Sequence, residues 1–281
     1  LDWDLDTLFE RTLAAMKAAG YDGIELCGFM IHPIGFMVRL LTKAAGMPVG
    51  KGGNLDWHKL VKDADLQVVS LHTDLGSLER DAKAVADAVT MPIVIMGCKN
   101  IEKDTELFNK IAEALAGKNI LVLSARDENY KTVGASAGLA YGQKVGAESA
   151  VDINLAKQLN TVMTQLGVNA QSIVMNIGSA AAGYGYEYVA STLDRVKDAA
   201  LKQADAMLQM PIMTPVSADA WGVKEAVMSE ADMPEWGNQE ERGVEMEVTT
   251  AAAVLAGGSD AVIMRHPAAI RTIAKMINAL M

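Results

Sequence analysis

The run QSIVMNIGSAAAGYGYEY, Gln171–Tyr188, decides how the rest of the chain is read. Ile173–Asn176 is short, apolar and β-branched, as a buried strand is. Gly178, Gly183 and Gly185, with small residues between them, break that run, and Tyr186 opens a helix-compatible segment. Strand, glycine-rich turn and helix in succession make a ligand-facing corner of an α/β fold.

Working outward, similar strand-like runs recur at Ile24–Phe29, Gln67–His72, Ile93–Gly97, Ile120–Ser124, Lys144–Ala147, Pro211–Val216 and Ala261–Met264, which brings the number of candidate strands to eight. Between them apolar residues fall at three- and four-residue spacing, as in Leu107, Ile111, Ala114 and Leu115, or Leu155, Leu159, Val162, Met163 and Leu166. Alternating strand and amphipathic helix implies parallel strands with crossover helices, and eight strands suggest closure into a single (β/α)8 TIM barrel. An open doubly wound sheet is the alternative, because glycine flanks the weakest strand, Lys144–Ala147. Asp152 reads as the cap of a helix from Ile153, and Ser217 as preceding the helix that contains Trp221. The glycine-rich Gly46–Asn54 and the polar Asp232–Arg242 interrupt the pattern as loops. The division expected is an N-terminal segment, residues 1–54, holding the first strand, and residues 55–281 forming the remainder of one barrel domain.

Composition excludes several classes. A formal charge of -10 argues against a nucleic-acid partner, which needs a concentrated basic surface. The longest uncharged apolar stretch, Leu26–Val38, is too short to cross a bilayer and contains Pro33, so no membrane insertion is expected. Cys27 and Cys98 form no CxxC and offer neither a disulfide framework nor cluster ligands, which fits a reducing cytoplasm. The chain begins at Leu1 rather than Met and shows no signal-peptide pattern, which leaves open whether residues precede it.

In a barrel the site gathers at the C-terminal strand ends, here Cys98, Ser124, Arg126, Asp152, Asn154, Asn176, Gly178, Ser217, Arg265 and His266. This set is rich in amides and hydroxyls and poor in carboxylates and histidines. His32, His58, His72 and His266 are scattered without metal-ligand spacing, so no metal is expected. Cys98 at a strand end reads better as a small buried hydrophobe than as a nucleophile. The turn Gly178–Gly185 lacks GxGxxG and GxxxxGK[ST], which argues against a standard nucleotide site. Its small residues would still admit a bulky flat ligand or another backbone, with Tyr184, Tyr186 and Tyr188 available to stack or to pack against the wall.

Several motifs follow one another in a recognisable order: VADAVTMPIVIMGCKNIEKD from Val85, DENYK at Asp127–Lys131, DINLAKQLN at Asp152–Asn160, GYGYEY, Trp221 with Lys224–Ala226, Trp236–Gly237, Arg242–Gly243, Glu247, and MRHP ending at Pro267. In this order they resemble the small (delta) subunit of the corrinoid iron–sulfur protein of the acetyl-CoA synthase/decarbonylase system. The match runs from about Ala84 to the C-terminal helix and is poor over Leu1–Asp81, which makes the N-terminal segment divergent. The resemblance implies a (β/α)8 barrel related to pterin-dependent methyltransferases, without catalytic activity as an isolated chain. It would pair as a heterodimer with a larger (gamma) subunit carrying a cobamide and a [4Fe-4S] cluster. The barrel would cover the cobamide, held mainly by that partner, during methyl transfer between methyl-tetrahydropterin and acetyl-CoA synthase in the Wood–Ljungdahl pathway. Methyltransferase and CO dehydrogenase/acetyl-CoA synthase would be transient partners, and no cofactor would be bound by this chain alone.

By the same resemblance the corrinoid-facing or partner-facing residues are Arg126, Asn129, Asp152, Asn154, Gln158, Asn176, Gly178, Gly183, Tyr184, Gly185, Ser217, Trp221 and His266, with no catalytic residue among them. Two departures stand out. Asn176-Ile177 replaces the family's usual Asp-Pro, and Ala182 replaces Leu before Gly183-Tyr184-Gly185. The alternative reading is a pterin-dependent methyltransferase in which Asp152, Asn154 and Asn176 hold the pterin. A weaker one takes YDGIEL, Tyr21–Leu26, as the opening of a sugar-isomerase-like barrel, whose metal ligands Ser124 and Asn176 do not supply.

Overall fold

The computed structural model describes Ala14, Lys17, Ala18, Gly23–Cys27, Gln67–His72 and residues 78–281. The Gly46–Asn54 loop, His32 and His58 lie outside the described residues. Among the described residues eight strands run in the expected order: β1 Gly23–Cys27, β2 Gln67–His72, β3 Val94–Met96, β4 Leu121–Ala125, β5 Lys144–Glu148, β6 Ile173–Asn176, β7 Met213–Pro215 and β8 Ala261–Ile263. Each agrees with a run read from the sequence to within a few residues, and every strand pairing is parallel.

The chain divides into two compact units, residues 1–93 with Glu113–Lys118, and Val94–Ala112 with Asn119–Met281. In the first, β1 and β2 pair with a register shift between Ile24 and Glu25. Helix α1, Leu78–Ala88, buries Ala82 and Ala86.

The second unit carries the candidate site. Strands β3-β4-β5-β6 form one ladder and β7-β8 another, with an isolated parallel bridge Met175↔Ile212 between them. Helix α2, Ile101–Ala114, follows β3, and a short helix α3, Tyr130–Val133, follows β4. Helix α4, Ile153–Leu166, follows β5, and α5, Tyr186–Lys202, follows β6. Two short helices, α6 Val216–Ala220 and α7 Lys224–Val227, lead to α8, Gln239–Ala256, and α9, Pro267–Leu280, follows β8.

Local chemistry explains the elements. All five residues of β4 are buried, as a parallel strand covered on both faces requires. Gly146 makes β5 possible despite its weak sequence, since a Cβ there would lie 2.5 Å from Leu123 Cδ1 on β4. Asp152 caps α4 as expected, its Oδ1 accepting from Asn154 N at 2.8 Å and Leu155 N at 3.2 Å. The apolar stripe of α5, Val189, Leu193 and Val196, is fully buried.

Two expectations are corrected. Ser217 lies inside α6 rather than before it, because the helix begins directly at the end of β7 with Pro215 at its N-cap, and Trp221 is its C-cap. Asp232–Arg242 is not one loop: Pro234–Trp236 forms a 3-10 turn and Asn238 caps α8, its Oδ1 accepting from Glu241 N at 3.0 Å.

Candidate functional site

Five consecutive strand ends in the second unit converge on a pocket of about 250 Å³. Its walls include Lys99 after β3, Ser124 and Arg126 at β4, Glu148 at the end of β5, Asn176 and Gly178 at β6, and Asp219 on α6. Of the residues expected at the site, Arg126, Asn176 and Gly178 line it, and Ser124 joins them.

These groups form one network. Arg126 Nη2 donates to Glu148 Oε1 at 2.7 Å, with both side chains largely buried. Asn176 Nδ2 donates to Ser124 Oγ at 2.9 Å and more weakly to Glu148 Oε2 at 3.5 Å. The Gly178 N–H fixes the opposite edge of the amide, donating to Asn176 Oδ1 at 3.1 Å. That orientation suits an amide, which donates at one edge and accepts at the other. A carboxylate at this position would satisfy Gly178 but turn a second negative oxygen toward Glu148, in surroundings that screen charge poorly.

Across the pocket, burial pushes the Asp219 carboxyl above the usual carboxylate range, with the Lys99 charge and the nearby Ser179 hydroxyl opposing the shift. The expectation of a site poor in carboxylates is therefore corrected: Asp104, Glu148 and Asp219 all line it. Asp104 is buried and structural, its Oδ1 accepting from Cys98 N at 2.7 Å. Cys98 itself is an exposed free thiol, not the buried hydrophobe expected.

The other expected residues are placed elsewhere in the unit. Asn129 is buried and holds the β4 exit, its Oδ1 accepting from Arg126 N at 2.8 Å and its Nδ2 donating to Thr105 Oγ1 at 3.0 Å. Asp152, Asn154 and Gln158 are exposed on α4 and do not line the pocket with Asn176. Gly183 and Gly185 both have left-handed backbone, and Tyr184 between them is 44% exposed. Its hydroxyl donates to Glu225 Oε2 at 2.6 Å; this bond raises the Tyr184 pKa and lowers that of Glu225.

Trp221 and His266 meet in a second, more open pocket of about 450 Å³. Their rings stack at 5.5 Å with 28° between the planes, and the Arg265 guanidinium lies 5.8 Å from the Trp221 ring. His266 caps α9, with Nδ1 accepting from Ala268 N at 3.2 Å, while Nε2 faces Glu240 Oε1 at 3.1 Å. Behind this turn, the buried Glu247 carboxylate accepts from the backbone N–H groups of Arg265 and His266.

Several apolar side chains are exposed near the strand ends. Met96 and Val151 line the pocket and are exposed, and Tyr184 and Tyr188, on the glycine turn and the first turn of α5, are exposed as well, Tyr188 to 67%. Ala150 and Val151 have φ of +46° and +60°, a conformation that costs an L residue about 1–3 kcal/mol and is least favoured for a β-branched one. Neither glycine nor asparagine marks this turn in the sequence, so sequence reasoning missed it. Among the described residues no three His, Cys, Asp or Glu side chains are placed to hold a metal ion, and no helix is long and apolar enough to cross a membrane.

Two solved structures share the fold: Yersinia pestis DHPS with a pterine-sulfa conjugate (TM-score 0.51, 10% identity, covering 99% of this chain and 89% of that one), and Yersinia pestis dihydropteroate synthase in a sulfonamide drug complex (TM-score 0.51, 11% identity, 99% and 86%). At such identity the likeness shows the fold alone, a (β/α)8 TIM barrel. The acetyl-CoA decarbonylase/synthase complex subunit delta of Methanopyrus kandleri is 36% identical over 231 residues, 78% of this chain and 56% of the relative. The subunit of the same name from Archaeoglobus fulgidus is 32% identical over 241 residues, 80% and 53%. The chain thus spans about half the length of the curated relatives it matches. The family description CO dehydrogenase/acetyl-CoA synthase delta subunit matches residues 52–276, and the chain belongs to that family.

Proposed function

We propose that this chain is the barrel subunit of a corrinoid methyl carrier. It lies against a cobamide held mainly by a larger corrinoid/[4Fe-4S] subunit and shields it while a methyl group passes between a methyl-tetrahydropterin and acetyl-CoA synthase. The observation that carries this reading is apolar exposure at the strand ends: Met96 and Val151 line the small pocket and are exposed, and Tyr184 and Tyr188 are exposed on the glycine turn and the first turn of α5 that follow β6. Exposed apolar patches mark interaction surfaces. A pocket of about 250 Å³ lies below the usual size of sites that engulf a drug-sized ligand. A macrocycle therefore fits across this face rather than inside it. The cobamide supplies the methyl-carrying chemistry when bound, and this chain's residues supply enclosure and orientation.

Co-expression with a corrinoid/[4Fe-4S] large subunit, followed by size-exclusion chromatography read at corrinoid wavelengths, tests the reading. Co-elution in a fixed ratio is expected. A folded, cobamide-loaded large subunit that elutes without the chain overturns it.

The network of Arg126, Glu148, Asn176 and Ser124 favours a second reading, a pterin-dependent methyltransferase acting on a corrinoid protein. Asp152 and Asn154 would have no direct part in it, being exposed on α4, whereas Asn176 and Asp219 would. Saturable binding of a methyl-tetrahydropterin to the chain alone, lost in Asn176→Ala, is its expected signature.

A further inference from the structure

We propose that the β5–α4 turn at Ala150–Val151 is held strained so that Val151 stands out from the pocket mouth as a contact residue for the macrocycle carried by the partner subunit. The inference rests on the corrinoid-carrier reading. Two adjacent non-glycine residues in left-handed conformation are not the relaxed state of any chain, and a β-branched residue is among the least suited to it.

The surrounding structure imposes the conformation. Ser149 N donates to Asn176 O at 3.0 Å and Val151 N to Ile177 O at 2.6 Å, so β6 grips the turn on one side. Thr192 Oγ1 on α5 shares its proton between Val151 O at 3.0 Å and Tyr188 O of its own helix at 2.9 Å, and holds the turn on the other side. Gly178 lies beneath, where a Cβ would sit 3.3 Å from Val151 N and 3.6 Å from its Cγ1. The result is a valine that lines the pocket yet remains 39% exposed. An apolar side chain with no packing partner on its outer side gains nothing for the isolated fold from being held there. Strain of this kind, over-determined by neighbouring elements, collects at ligand-contact positions. It fixes the contact before binding, so that no ordering cost falls on association.

Three variants test this in the chain co-expressed with the large subunit. Val151→Gly relieves the strain and removes the side chain, Ala150→Gly relieves strain while leaving Val151 in place, and Val151→Thr keeps shape and strain but makes the surface polar. Thermal melting of the chain alone is expected to rise by about 2–4 °C in both glycine variants. Affinity for the corrinoid large subunit is expected to hold for Ala150→Gly and to fall about tenfold for Val151→Gly. Val151→Thr falls between, with an unchanged melting temperature. Val151→Gly that binds like wild type overturns the contact, and glycine variants that melt at or below the wild-type temperature overturn the strain. If the wild-type chain forms no corrinoid complex, the carrier reading fails and this contact with it, whatever the melting temperatures.

Discussion

The buried carboxylate of Glu247, on α8, accepts the backbone N–H of His266 at 2.9 Å. With the Arg265 N–H bonded to its other oxygen, one side chain satisfies two donors at the point where β8 turns into α9. The turn that carries His266 against Trp221 is therefore held from behind, through its backbone.

Glu247→Ala leaves those two part-buried N–H groups without their acceptor and should cost about 1–3 kcal/mol. Glu247→Gln keeps one acceptor, turns an amide donor toward the other N–H, and should cost less. Urea denaturation of the three proteins measures the order; an alanine variant as stable as wild type would show that the turn is held by something else.

Gly243 faces the flat side of the Trp221 indole, and a Cβ there would fall 2.2 Å from Cζ3 and 2.5 Å from Cη2. The indole is rigid, so it must rotate or the helix must shift. Gly243→Ala should destabilise by about 1–3 kcal/mol. Adding Trp221→Phe to Gly243→Ala should recover part of that loss, because the smaller ring frees the space. Additive effects of the two changes would argue against the contact.

Asp219 makes a prediction about pH. Burial raises its pKa, so between the ordinary carboxylate value and the raised one the folded protein holds a proton that the unfolded chain gives up. The stability it contributes is fully present below the ordinary carboxylate pKa and is lost as pH rises through the raised value. Asp219→Asn, which cannot ionise, should match wild type in acid and gain on it toward neutral pH, even with the Lys99 charge left unopposed. Parallel stability curves for the two proteins between acid and neutral pH would sink this account.

What the sequence made legible was periodic. β-Branched runs separated by amphipathic segments located the eight described strands, and Asp152 before an apolar stripe located the start of α4. The same stripe, Leu155, Leu159 and Met163, already turns Asn154 and Gln158 outward, so their exposure followed from helical period alone. The pocket was less legible because its groups are joined by topology. Lys99, Glu148 and Asp219 stand on separate connections, and nothing in the spacing of three such common residues announces that they share a cavity. The Ala150–Val151 turn carried no signal, since its conformation comes from β6 and α5 rather than from its own residues. Ser217 was misplaced because α6 starts inside the run that reads as strand.

The ladder of β3 to β6 meets that of β7 and β8 at one described bridge, Met175↔Ile212, with Met175 N donating to Pro211 O at 2.8 Å. Opening such a seam exposes few amides, whereas opening either ladder exposes many. Under native-state deuterium labelling, the amides of β4 and β5 should form one slow block and those of β7 and β8 another, each with its own protection. The face on which a partner would settle thus straddles two cooperative units, and a partner bound across it would couple their opening into one.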